Sequence, residues 1–301
     1  TVMAMIQARI GRLPPSARRV LRAASVFGEI FWEKGVHRLL SSTHGDEPIR
    51  DTLEALIREE IIEKSREERF VKEAQYYFRH SLVRDSAYRL INEEELTPWH
   101  AMAGKFLEDA GEREGIILAD HYRLGKDYAR ASLSYARAAQ QAHDAGSIDA
   151  ALACVERGLA CGAAGEIRGE LLTIRCQIEL WREKYDQALA AGREALPLIR
   201  SGTKTACLVL APIAFASLFT EQERLPELMA QVLRVRPEPE AVNTYCQTLG
   251  MVSAAFFGTG QKGPTSLLRQ RAQELRSMLT EQDHGAWAYI ASMEGWHSHL
   301  E

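Results

Sequence analysis

The sequence predicts a mainly all-α protein: a small winged-helix module over residues 1–92, then a linker helix and an open array of paired helices over 93–301. Three observations carry this. Apolar residues recur at helical spacing through most of the chain. A strongly β-prone run, Tyr76-Tyr77-Phe78, follows three short helical segments. Behind Ala129 alanine becomes dense, and one spacing of small and apolar residues recurs in successive segments, as stacked helical hairpins require.

Leu13-Pro14-Pro15-Ser16 opens the front module, with prolines suited to helix entry and Ser16 as the expected N-cap. Ala17, Val20, Leu21, Ala24 and Phe27 then repeat at helical spacing, and Gly28 ends the run. Phe31 to Leu40 reads as a second short helix. Ile49, Leu53, Leu56 and Ile57 read as a third, introduced by Pro48. Ile61 to Ser65 and roughly Gln75 to Arg79 read as a two-stranded hairpin, which completes winged-helix order. His80 opens a helix with Leu82, Val83, Ala87, Tyr88 and Leu90 on its apolar side. Another helix from Glu93 to Ala110 turns Trp99, Met102, Ala103, Phe106 and Leu107 inward.

In the rear, Tyr128, Ala131, Tyr135 and Ala138 have offsets of 3, 7 and 10. Ile148, Ala151, Val155 and Gly158 repeat them, as do Tyr185, Ala188, Gly192 and Ala195, and then Leu225, Leu228, Val232 and Val235. Small residues let facing helices approach, and one hairpin cannot bury its apolar face without a stacked neighbour. Leu208 to Phe219 reads as a buried helix in spite of Pro212. Val242 to Phe257, Thr265 to Leu279 and Gly285 onward continue the array, with Trp287, Tyr289 and Trp296 on its final helix.

Composition narrows the functional classes. Of 301 residues, 46% are hydrophobic and 26% charged, which suits a folded globular protein and not a disordered one. A net charge of -4 leaves no overall nucleic-acid footprint. The five cysteines contain no Cys-x-x-Cys pair, their odd number suits a reducing compartment, and a cytoplasmic location is expected. No stretch approaches the ~18 apolar residues of a membrane helix, so no membrane partner is expected. The chain starts at Thr1 and closes with Leu300-Glu301, a pair common at cloning junctions, so a segment excised from a longer protein is expected.

The search for chemistry returns little. A helix that reads DNA presents basic or amide groups. The third helix and its approach instead carry Asp46, Glu47, Asp51, Glu54, Glu59 and Glu60 against Arg50 and Arg58. The wing is mixed, with Lys64, Arg66, Arg69 and Lys72 facing Glu63, Glu67, Glu68 and Glu73. Phosphate repulsion makes duplex DNA a poor partner. Ser201-Gly202-Thr203-Lys204-Thr205 and Gly258 through Gly263 lack the order of a phosphate-binding P-loop and read as connections. The histidines have no metal-ligand spacing, and His297 with His299 lie beside the suspected junction. His80 and Asp85 do not share a helical face. Glu166, Glu170 and Glu179 read as solvated carboxylates. No metal, cofactor or catalytic residue is assigned. The positive candidate is a surface: Arg168, Arg175 and Arg182, seven apart, form one stripe that could meet an acidic peptide.

Several segments are similar to a known family. Leu21 to Trp32 (Leu-Arg-Ala-Ala-Ser-Val-Phe-Gly-Glu-Ile-Phe-Trp) resembles the winged helix behind the ATPase of bacterial signal-transduction ATPases with numerous domains. Phe78-Arg79-His80-Ser81-Leu82-Val83-Arg84-Asp85-Ser86-Ala87-Tyr88 resembles the signature after its wing. Trp99-His100, Asp120-His121-Tyr122 to Tyr128-Ala129-Arg130-Ala131, and Ser147-Ile148-Asp149-Ala150-Ala151 continue the likeness. It is strongest from Leu13 to Gly192 and passes into generic tetratricopeptide-like repetition.

The resemblance implies an ATPase domain upstream of this region, binding ATP with Mg. It also implies a winged helix packed on that domain, and His80 as a sensor of nucleotide state. The repeats would bind a protein, peptide or small effector, and the parent would carry an ATPase, protein kinase, nucleotide cyclase or transcription-regulating output. With no Walker motif of its own, this chain is expected to be a non-catalytic regulatory arm. The alternatives are a DNA-binding transcriptional regulator and a fragment that contributes directly to an ATP-dependent site. Titration with duplex DNA at low and physiological salt should give only weak, salt-sensitive binding. Tight, sequence-selective binding would overturn the reading of the acidic helix.

Overall fold

A computed structural model describes residues 2–44, 49–71, 73–258 and 260–300, with the side chains of 2–4, 42–44, 262 and 296–300 set aside. Pro48, Asp46, Glu47, Lys72 and Thr259 lie outside the described residues, as do Thr1, Glu301 and the side chains of Trp296, His297, His299 and Leu300. The chain divides into two compact units, 1–134 and 135–301. The division falls behind the helix that the sequence reading assigned as a linker.

The first unit runs α1 (Val2–Gly11), α2 (Pro15–Phe27), β1 (Ile30–Trp32), α3 (Glu33–His44), α4 (Arg50–Arg58), β2 (Ile62–Lys64), β3 (Gln75–Phe78), α5 (Ser81–Arg89), α6 (Glu93–Ala110) and α7 (Gly115–Leu124). Helix α2 begins two residues earlier than expected. Pro14 occupies the N-cap and no side chain caps the end, so Ser16 is already helical. Proline suits the first turn because the N–H it lacks has no partner there. Gly28, at φ 115°, closes the helix as anticipated.

The expected second helix is corrected at its start. Ile30, Phe31 and Trp32 form a strand, and α3 begins at Glu33. The expected hairpin is therefore part of a three-stranded antiparallel sheet in the order β1-β3-β2, with Ile30 opposite Tyr77 and Ile62 opposite Phe78. Three residues are too few to show a period of two, and Phe31 and Trp32 also fit the apolar spacing of α3. The pairing settles the matter. Phe31 stacks on Tyr76 at 5.7 Å and meets Phe78 at 5.3 Å, contacts that only neighbouring strands provide. Around this sheet Leu21, Leu39, Leu53, Leu56, Ile62 and Trp99 are buried in one core.

The boundary with the second unit lies inside α8 (Tyr128–Asp144). Behind it come α9 (Ile148–Ala160), α10 (Gly165–Trp181), α11 (Tyr185–Ala195), α12 (Lys204–Thr220), α13 (Leu225–Arg234), α14 (Val242–Gly258), α15 (Lys262–Leu275) and α16 (His284–Leu300). Helix α15 starts earlier than expected and gives way to a 3-10 turn at Arg276–Met278. Pro212 sits inside α12 as foreseen. Thr203 caps that helix, its Oγ1 accepting from the Ala206 N–H at 3.3 Å.

The repeated small residues lie where the helices meet. Ala151, Val155, Ala188, Ala195 and Val232 are fully buried. A Cβ on Gly192 would lie 2.5 Å from Ile213 Cγ1, and one on Gly158 would lie 2.8 Å from Leu171 Cδ1. A Cβ on Gly250 would lie 2.5 Å from Tyr289 Cβ. These are contacts that no larger residue can make without displacing a neighbour. Gly192→Val should accordingly lower stability by about 1–3 kcal/mol, measured by urea unfolding. An unchanged midpoint would show that the α11–α12 contact yields freely.

Candidate functional site

In the second unit, one face of α8, α10, α12 and α14 forms a shared pocket. Each helix contributes through its own periodicity. His143 comes from α8, Gln177 and Trp181 from α10, Leu208 and Pro212 from α12, and Thr244, Gln247 and Met251 from α14. The recess holds about 100 Å³. Trp181 is 78% exposed, although it follows Ile174 by seven residues and shares the face of that buried side chain. Its place in the last turn of α10 leaves it beyond the reach of the packed layer. Two polar groups in the pocket make no hydrogen bond within the protein. His143 Nδ1 is buried, 3.9 Å from Asp144 Oδ1, and the amide of the half-buried Gln177 makes none among the described residues. Gln247 Nε2 donates to Asn243 Oδ1 at 2.9 Å.

The arginine stripe takes another course. Arg168 pairs with Glu194 on α11, Arg175 is half-buried, and Arg182 caps α10 with Glu179 4.0 Å away. None of the three lines the pocket. Glu179 is only 4% exposed, with Arg182 and Lys184 each at 4.0 Å, which corrects its reading as a solvated carboxylate. Burial also raises the pKa of Glu170, with a smaller push from Glu166. Ser201 and Gly202 lie in the connection before α12, Thr203 is its N-cap, and Lys204 and Thr205 open the helix. Glu238 N–H donates to the Gly202 carbonyl at 2.9 Å, and the Arg236 carbonyl fills the space over Gly202.

In the first unit, His80 is exposed in extended backbone at the amino end of α5. It borders a cleft of about 510 Å³ with Ile6, Arg9, Glu60, Arg79 and Ser81. Both arginines are engaged: Arg9 donates to the Glu59 carbonyl at 3.0 Å, and Arg79 pairs with Glu60 at 2.9 Å. Asp85, weighed as a partner for His80, pairs with Arg84 at 3.0 Å. On α4, Asp51 and Glu54 are exposed and Arg50 reaches Glu33 at 3.2 Å.

Sequence reasoning missed a buried histidine pair. His100 on α6 and His121 on α7 are buried with their Nδ1 atoms 3.1 Å apart, and Tyr88 Oη on α5 lies 2.7 Å from His100 Nε2. One tautomer set satisfies all three: Tyr88 donates to His100 Nε2, and His100 Nδ1–H donates to His121 Nδ1. A second proton on either ring turns an acceptor into a donor and breaks the chain. Burial pushes the pKa of His100 down to about 3, aided by His121 and the cations Arg84 and Arg123 against Asp120. Burial, with a smaller effect of Arg84, pushes His121 down to about 4. The pair lies 21 residues apart on separate helices, so no local motif announces it.

No protein-family model matches the chain, and no curated protein does. Among solved structures it is similar to a signal transduction ATPase with numerous domains (STAND) protein with a tetratricopeptide repeat sensor from Pyrococcus horikoshii. Identity is 13% and the TM-score 0.43, with 100% of this chain and 51% of that one covered. This chain therefore spans about half the length of that protein.

The histidine pair makes a pH prediction. Unfolded histidine takes up a proton near pH 6.5, whereas these folded rings resist until about pH 4 and about pH 3. The unfolded state thus binds more protons between those limits, and stability falls as pH drops below about 6.5. The slope should approach about 1.4 kcal/mol per pH unit for each histidine. Urea unfolding between pH 7 and 4.5 should show it, and His100→Gln with His121→Gln should flatten it. An equally steep fall in the double variant would assign the acid sensitivity elsewhere.

Proposed function

We propose that this chain is a non-catalytic regulatory and protein-interaction arm of a larger signalling ATPase. The observation that carries the reading is the pocket on α8, α10, α12 and α14, with its exposed Trp181 and a Gln177 amide that makes no hydrogen bond within the protein among the described residues. A surface of this kind suits binding a polypeptide. In the first unit, the order helix–strand–helix–helix–strand–strand and the β1-β3-β2 sheet support the winged-helix reading. The exposed acids of α4 favour packing on protein over reading DNA. Binding at the repeats would act by shifting an equilibrium between arrangements of the parent protein.

The resemblance at Phe78 to Tyr88 supports a place for His80 near the nucleotide of an upstream ATPase that holds ATP with Mg. The cleft beside His80, bordered by Arg79 and Ser81, favours a second reading, in which the chain contributes directly to an ATP-dependent site. Two measurements separate them. With ATP and Mg, hydrolysis by the 301-residue chain should stay at background. Turnover abolished by His80→Ala would favour the second reading and sink the first. The encoded sequence ahead of Thr1 should contain a P-loop ATPase, and its absence would remove the regulatory role.

A further inference from the structure

The pocket described above also carries information about what it takes. Eleven residues line it, and none is an Asp, Glu, Lys or Arg, in a chain whose residues are 26% charged. The nearby arginines are turned to other tasks: Arg168 holds Glu194, and Arg182 lies beside the buried Glu179. An acidic segment would therefore find no cation in the pocket, and a basic one no anion. The void of about 100 Å³ suits one large side chain and not a folded surface. Its apolar side is formed by Trp181, Leu208, Pro212 and Met251. The opposite need, hydrogen bonding to a peptide backbone, is met by groups that both donate and accept. The Gln177 amide, which makes no hydrogen bond within the protein among the described residues, offers both.

We propose that the pocket binds an extended, uncharged peptide segment anchored by one large apolar side chain beside Trp181. This rests on reading the pocket as the interaction site and specifies its ligand class. The anchor would bury the Trp181 face, and the Gln177 amide would bond the main chain beside it. Affinity from such a site is concentrated in the anchor contact.

The test uses a phage-displayed library of random dodecapeptides, selected on the full 301-residue chain. Enriched sequences should be uncharged around a single Leu, Met, Phe or Trp. The synthetic peptides should lose about tenfold or more in affinity for Trp181→Ala by calorimetry, and a smaller factor for Gln177→Ala. Trp181 is 78% exposed, so its truncation should leave the thermal midpoint unchanged. Enrichment of acidic or basic peptides whose binding still requires Trp181 would overturn the neutral ligand class and leave the pocket as the interaction site. Failure to enrich any Trp181-dependent peptide would overturn both.

Discussion

Close approach between helices through small side chains is the constraint on which the second unit depends. At Gly192 the backbone of α11 comes so near Ile213 that no Cβ fits, and Gly158 and Gly250 make equivalent approaches to Leu171 and Tyr289. Each contact removes the space that a larger side chain would need and places apolar neighbours in van der Waals range. The helices then stack without bulky spacers, and Ala188, Cys207, Val232, Tyr245 and Leu249 fall into one buried cluster. The helices that share the pocket face are held in step by these contacts. The pocket is a consequence of packing behind it and needs no special backbone of its own.

The same economy explains which features could be read from the residues. The repeated offsets of 3, 7 and 10 mark positions that must be small or apolar, and Ala151, Val155, Ala188 and Val232 are buried as those offsets require. Helix α6 runs over the expected residues because Glu93 to Ala110 carries an unbroken helical period closed by Gly111. Strand β1 was hidden for a physical reason. Phe31 and Trp32 satisfy both the apolar spacing of a helix and the pairing of a short strand, and only contact with Tyr76 and Phe78 decides. Local preference is a weak prior where tertiary contact can override it.

The candidate site was less legible than the fold, because its residues are conspicuous only in three dimensions. Trp181 lies on the helical face of Ile174, so periodicity alone assigns it to the core. Arg168, Arg175 and Arg182 were conspicuous in one dimension, through their spacing, yet Arg168 and Arg182 have acidic neighbours. A regular interval of charges identifies a helical face and does not say whether that face meets solvent, another helix or a ligand. His100 and His121 belong to the same class of hidden feature, since their contact joins two helices.

The two kinds of polar group inside this chain differ in what they can do. Tyr88, His100 and His121 satisfy one another, and a group whose bonds are complete contributes rigidity and a sensitivity to protonation but has nothing left to offer a ligand. The Gln177 amide is in the opposite condition. It lines the pocket beside an exposed indole and makes no hydrogen bond within the protein among the described residues. A ligand that supplies hydrogen bonds to that amide and an apolar cover for Trp181 satisfies both in one event. An open amide beside an exposed indole, more than charge, is therefore what the proposed recognition surface offers a ligand.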